Sequence, residues 1–365
     1  MILSFSMNRL IKYSIFLFAL LQGCEEIYTP GIEKVESVIV ADARIVSGGS
    51  NNVISLYQSL SYNENSIIYP PVTGASVSMI SSSGVENKLF ESAPGKFAVS
   101  GNLDPDQQYK IRIVSGGNTY ESSFEPVPPV PLLDTIFGEP GIKILAPDGN
   151  NDVDDIIEIE GVQLFGNILN EKQLPYYRFT TRRIIQFTYT VEVQFPGGPM
   201  PLNMYAWDSS TSGDAFNIAG PADYSSSTAI VKHPLWFLSK RPGLNFDETF
   251  EGWILILYHH GLSKSAYDFY NDLNSQLNAN GKMFDPLYVQ AESNIRCTNN
   301  PEQVILGNFE IATVKETRYF VRFISNKSGY LIKPIPYFYY IPVSGQQLDI
   351  PPDFWETPSK QYPEQ

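Results

Sequence analysis

The sequence predicts a mainly β protein, with an N-terminal immunoglobulin- or fibronectin-like β-sandwich followed by a larger β-rich domain that carries one amphipathic helix. Three observations predict it. Tyr and Phe contribute 22 residues each, and aromatic and β-branched side chains suit a pleated, half-buried surface. The chain carries 27 prolines and 26 glycines, the residues that start and end turns. Over residues 34–125, apolar runs alternate with polar residues at period two, with turn signals about every 8–12 residues, the spacing of a small sandwich.

Residues 37–46 form the first apolar strand and 53–57 the second, half-buried one. Ala75, Val77 and Met79 point one way and the intervening serines the other, because successive strand side chains face opposite sides. Ser83-Gly84 turns the chain into strand 88–91, and Pro94-Gly95 turns it into 96–99. Tyr109, Ile111 and Ile113 alternate, and Gly116-Gly117-Asn118 closes a hairpin onto 119–124. Leu103-x-Pro105-x-x-x-Tyr109 resembles a tyrosine corner, in which a phenol bonds back to the backbone at a strand start.

Pro126, Pro128, Pro129 and Pro131 make a stiff connector over 126–131, since proline fixes φ and removes a donor. The C-terminal domain spans 132–365. Short strands are predicted at 134–137 and 142–145, further strands at 156–164, 176–180, 253–258, 304–309, 318–324 and 330–333, a long strand at 184–195, and a mobile polar loop at 209–227. The helix covers about 263–280. Ser263 caps it, Ala266, Phe269, Tyr270, Leu273 and Leu277 share one face, and Asn280-Gly281 stops it.

The N-terminus carries an address. Arg9 and Lys12 make a cationic start, residues 13–21 are an apolar run of nine, and Leu21-Gln22-Gly23-Cys24 resembles a lipobox. The run is too short to span a bilayer, which takes about 20 apolar residues. A signal peptide over 1–23, cleavage before Cys24, lipid on its thiol and a tether over 24–33 follow from that pattern.

Composition removes several function classes. Residues 1–23 contain two bases and no acid, so the remainder has 23 basic and 39 acidic residues, a charge of −16. Nucleic acid is not an expected partner, because phosphate binding needs a basic face. Two cysteines, Cys24 and Cys297, exclude a disulfide framework; Cys297 reads as a small buried apolar residue. The histidines are His233, His259 and His260. Adjacent strand residues face opposite ways, so His259 and His260 do not converge on one metal. No nucleophile elbow, P-loop or dinucleotide fingerprint occurs, and no catalytic residues are assigned. Asp148, Asn150, Asp152 and Asp154 alternate as calcium-binding oxygens do. Val153 and Ile159 break the EF-hand pattern, so a solvated acidic turn is the simpler account and weak calcium binding the alternative. Tyr205 and Trp207, beside the polar loop, are the candidate ligand-binding aromatics.

Several segments in order resemble the Bacteroidota lipoprotein family known as domain of unknown function 4249. They run from the lipobox through Pro71-Val72-Thr73-Gly74-Ala75-Ser76-Val77-Ser78, Ala93-Pro94-Gly95-Lys96-Phe97 and Tyr109-Lys110-Ile111-Arg112-Ile113. They continue with Gly117-Asn118-Thr119-Tyr120, the proline connector, Tyr176-Tyr177-Arg178 and Tyr267-Asp268-Phe269-Tyr270. Phe284-Asp285-Pro286, Ser293-Asn294-Ile295, Leu306-Gly307-Asn308-Phe309 and Pro352-Asp353-Phe354-Trp355 complete the series. The paired C-terminal cysteines of some relatives are absent from this sequence.

The resemblance implies an outer-membrane lipoprotein, and Glu25-Glu26 after the cysteine resembles its signal for the outer face. It also implies a TonB-dependent outer-membrane receptor as partner, with this chain a non-enzymatic accessory that captures or gates substrate. The alternatives are a stand-alone glycan- or peptide-binding surface module and, last, a hydrolase using His259 or His260.

Overall fold

Period-two alternation builds an eight-stranded sandwich between residues 39 and 122. Its strands are β1 (Ile39–Val46), β2 (Asn52–Gln58), β3 (Ser76–Ser81), β4 (Glu86–Lys88), β5 (Phe90–Ala93), β6 (Lys96–Val99), β7 (Gln108–Ser115) and β8 (Asn118–Ser122). This computed structural model describes residues 37–60, 68–145, 157–169, 175–212, 216–224, 229–239, 249–278, 291–324 and 329–334. The residues expected to form the signal segment and the tether, Cys24, and the acidic run with Asp148, Asn150, Asp152 and Asp154 lie outside the described residues.

Strand order is β1-β2-β6-β5 in one sheet and β8-β7-β3-β4 in the other. That is the immunoglobulin-like arrangement, four strands facing three, with β4 added at the edge of the second sheet. Ile45, Ile54, Leu56 and Phe97 from the first sheet meet Val77, Ile111, Ile113 and Tyr120 from the second, each large side chain contributing roughly 1.5–3 kcal/mol by burial. The tyrosine corner is present: the Asp104 N–H donates to the Tyr109 hydroxyl at 2.8 Å.

Residues far along the chain complete this sandwich. Strand β9 (Glu125–Pro126) joins β7, and β17 (Ile295–Cys297) lies antiparallel to β8. The 20-residue strand β18 (Ile305–Ile324) runs parallel to β1 from Ile39↔Ile305 to Val46↔Ala312. The β1 edge of one sheet and the β8 edge of the other are thereby paired, which removes open hydrogen-bonding groups there, while β5 and β4 remain edge strands. Pairing therefore crosses the proline connector, where the sequence suggested consecutive domains. At Gly307, φ is +93°, and an added Cβ would stand 2.0 Å from the Ala41 carbonyl oxygen. Gly307→Ala combines left-handed strain with a clash and is expected to destabilise by roughly 2–4 kcal/mol. Urea denaturation measures it; an unshifted midpoint would show that the β1–β18 pairing is loose.

The C-terminal part of β18 enters a second layered body. Strands β10 (Leu132–Leu145), β11 (Ile157–Leu169) and β15 (Ala229–Ser239) form an antiparallel sheet in that order. It packs on β12 (Tyr177–Phe195), β16 (Thr249–Gly261) and β18: Val162, Leu164, Leu235 and Leu238 meet Tyr177, Phe179, Trp253, Leu255 and Val321. Strand β13 (Gly198–Thr211) and β14 (Asn217–Ala219) pair with β12, and β19 (Gly329–Pro334) with β18. The described residues from Val38 on belong to one compact unit.

Several short strands expected from sequence are segments of longer ones. The strands expected at 134–137 and 142–145 are one continuous β10, running through Gly138, Pro140 and Gly141. Its sheet position is an edge, where a missing proline donor costs no ladder bond, and a Cβ at Gly138 would approach Val162 Cγ2 to 2.6 Å. The polar loop expected at 209–227 is corrected in part. Ser209–Thr211 continue β13 because Arg182 Nη2 donates to Ser209 Oγ at 3.1 Å and Arg183 Nε to Ser210 Oγ at 2.5 Å. Beyond it come β14 and a short 3-10 turn at Pro221–Asp223.

Helix α1 (Lys264–Asn278) is capped as expected, the Ala266 N–H donating to Ser263 Oγ at 3.2 Å. Ala266 and Tyr270 are buried against Ala312 of β18. Leu277 departs from the expectation: it is 55% exposed, beyond the reach of the sheet.

Candidate ligand-binding cleft

The sheet face turned away from the first sandwich core carries the site. On β1, Ala41, Ala43 and Ile45 point into that core, so Asp42 and Arg44 point out. On β18, Ile305, Phe309 and Ile311 point in, so Asn308 and Glu310 point out. The parallel register sets Asp42 beside Asn308 and Arg44 beside Glu310. Helix α1 covers this polar row with Phe269, Tyr270 and Leu273, and Phe216 closes one side. The space enclosed is about 280 Å³.

A buried carboxylate fixes the helix that forms the wall. Glu125, at the end of the first sandwich, accepts from Ser263 Oγ at 2.6 Å and Ser265 Oγ at 2.5 Å, the cap and a first-turn residue of α1. Asn294 Nδ2 donates to it at 3.0 Å and Ser123 Oγ at 3.0 Å. Negative charge at a helix N-terminus is stabilised by the helix dipole. Deeper in, Glu310 is 2% exposed. It accepts from the Tyr270 hydroxyl at 2.5 Å and from Arg178 Nη2 at 3.3 Å. The Arg178 guanidinium also lies 4.7 Å from the Tyr270 ring centre. Burial, then the charge of Glu310, pushes the Tyr270 phenol above its usual range, which keeps it a proton donor. At the mouth Arg44 donates to both Asp42 oxygens at 2.7 Å.

Every charged group at the cleft thus has a partner. Asn308 does not: it is 6% exposed, and neither its Oδ1 nor its Nδ2 has a hydrogen-bond partner. A buried amide left unsatisfied is costly; both of its polar atoms are shut off from solvent, and the cleft beside it is walled by Phe216, Phe269 and Leu273. A second cavity of about 370 Å³ lies between β17 and the start of β18. Its polar groups are exposed or paired: Glu292 with Arg296, both largely exposed, and the Cys297 thiol donating to Asn299 Oδ1 at 3.2 Å.

The sequence candidates lie elsewhere. Tyr205 and Trp207 belong to the middle of β13, in register with Thr188 and Gln186 of β12. His259 stacks on Phe179 at 4.5 Å and lies 5.0 Å from Tyr177. His260, next in β16, meets Thr180 Oγ1 at 3.1 Å. His233 donates Nε2–H to Asn217 Oδ1 at 2.7 Å. Burial lowers the pKa of all three, His259 and His260 to about 3.

The architecture is that of an immunoglobulin-like β-sandwich protein whose edge strand continues into a second layered body, with a ligand-sized cleft at the passage. The chain belongs to the family described as domain of unknown function (DUF4249), whose model matches residues 25–318. No curated protein and no solved structure matches it.

Proposed function

We propose that this chain is a lipid-anchored, non-enzymatic surface protein that captures a ligand for a TonB-dependent outer-membrane receptor. The observation that carries the capture role is the cleft of about 280 Å³ between β1, β18 and α1, walled by Phe216, Phe269, Tyr270 and Leu273. The lipobox-like Leu21-Gln22-Gly23-Cys24 and the acidic pair after it support the anchor and the outer face. Two acyl signals hold a protein at a membrane where one binds reversibly. The receptor is the partner that the family resemblance implies.

Purification from native outer membranes through a C-terminal tag, in mild detergent, tests this reading. A β-barrel receptor is expected in stoichiometric yield, and Cys24→Ser is expected to leave the protein in the soluble fraction without that receptor. A solitary lipoprotein from the native membrane would overturn the receptor role and leave a stand-alone binding module.

A further inference from the structure

The β12–β13 hairpin reaches past the rest of its sheet. Among the described residues, β12 pairs with β16 as far as Thr188↔Thr249, while its ladder with β13 continues to Phe195↔Gly198. Beyond β16, Tyr189–Phe195 and Gly198–Met204 pair with each other, a two-stranded ribbon extending roughly 20 Å at the usual rise of a strand. Pro196-Gly197 makes its turn. The tip is apolar and open. Val193 stands opposite Met200, so these two and Phe195 share one face. Phe195 is 47% and Met200 57% exposed. Thr190, Glu192 and Gln194, also exposed, take the other face. No charged residue occurs from Val193 to Trp207.

We infer that this tip inserts into the headgroup boundary of a lipid bilayer, with Phe195 and Met200 as the inserted side chains. Three observations select a bilayer over a protein occupant. β13 is the outermost strand of its sheet and carries Pro199 and Pro201, and proline has no N–H to offer an added strand. A stable protein interface buries roughly 800 Å² per partner, more than two half-exposed side chains on a narrow ribbon supply. Lipid sets no such threshold, and each buried apolar group adds to the hold. The uncharged run lets the tip leave water without stripping an ion of its hydration. The chain as a whole has 39 acidic and 25 basic residues, so the favoured surface is zwitterionic and anionic lipid repels it. This inference stands apart from the cleft, the receptor and the lipid on Cys24.

The test uses the chain from residue 25 onward, held on phosphatidylcholine vesicles through a C-terminal histidine tag and a nickel-chelating lipid. Gly197→Cys carries a polarity-sensitive fluorophore: a Cβ at Gly197 meets nothing within 4 Å, and the other thiol, Cys297, is buried. On vesicles the emission is expected to shift to the blue and to be quenched by lipids brominated on their acyl chains. Phe195→Ser/Met200→Ser is expected to move the equilibrium roughly tenfold or more toward water, through the loss of two large apolar side chains. Its Tm should stay unchanged, because both positions are solvent-exposed. Phe90→Ser, at a position 75% exposed on β5, is the control and should leave the signal as it is. Replacing part of the phosphatidylcholine by phosphatidylglycerol should weaken insertion; a strengthened signal would overturn the zwitterionic assignment. Emission indifferent to vesicles would overturn the proposal. So would a blue shift seen only as protein concentration rises, which marks a second copy as the occupant, or only when outer-membrane proteins are added, which marks a protein partner. A shift that survives the double substitution would overturn the role of Phe195 and Met200.

Discussion

Between pH 6.5 and 4.5 the protein will lose about two protons' worth of stability per pH unit. His259 and His260 titrate near 3 in the folded chain, against about 6.5 when exposed. Burial is the main cause for both. The neighbouring His233 adds to it at His259, and the Arg178 charge at His260. In that window the unfolded chain binds protons that the folded chain refuses, so the histidine contribution is complete above pH 6.5 and falls as the solution is acidified toward pH 3. Each histidine is worth roughly 1.4 kcal/mol per pH unit. Two of them over two units remove about 5 kcal/mol, comparable to the whole stability of many domains, roughly 5–15 kcal/mol. His233, also lowered by burial, steepens the loss. Glu121, held down by its hydrogen bond to Lys110, contributes stability that is present above the usual carboxylate range and fades only at lower pH.

His259→Phe separates this effect from general acid damage. Neither His259 nitrogen has a hydrogen-bond partner, and the ring already stacks on Phe179. Phenylalanine keeps the stacking and removes the titration. Urea denaturation at intervals of half a pH unit should show equal or higher stability at pH 7 and a slope lower by about one proton. An unchanged slope in the variant would sink the assignment.

The tyrosine corner and the capped helix were legible because each is written in contiguous residues. Period-two alternation likewise exposed most of the first sandwich. What alternation does not specify is the long-range partner of an edge: nothing in residues 39–46 names residues 305–312 as the parallel neighbour. The cleft was hidden for the same reason. Asp42 and Arg44 alternate with Ala41, Ala43 and Ile45, and Asn308 and Glu310 with Phe309 and Ile311, a pattern that by itself describes a solvated outer face. Only α1, folded back across it, makes Asn308 and Glu310 interior. The available signal was the amphipathic helix itself: its stripe of Ala266, Phe269, Tyr270 and Leu273 had to cover something, and the polar rows of β1 and β18 were unassigned. Trp207 drew attention instead because it stood next to polar residues, which continue the strand rather than leaving it.

Arg178→Met will cost about 3–5 kcal/mol, the penalty for leaving a buried charge without its counter-ion. Arg178 and Glu310 are 7% and 2% exposed, so solvent screens little of the loss. Glu310 would retain the Tyr270 hydroxyl, which a single neutral donor does not turn into compensation for a full charge. Glu310→Leu should cost a similar amount by stranding Arg178, whose Nε already lacks a partner. The double variant Arg178→Met/Glu310→Leu should recover most of the loss, since apolar side chains of similar size replace a buried ion pair at little cost. A double-mutant cycle by thermal denaturation at pH 7 measures this coupling; additive losses would mean that the two side chains act independently. The cycle also bears on the acid transition. Arg178 helps to hold His260 uncharged, so Arg178→Met should raise the His260 pKa and flatten the pH dependence while lowering stability at neutral pH. An ion pair that contributes specificity more than stability belongs where Tyr270 is held beside the cleft by its hydrogen bond to Glu310.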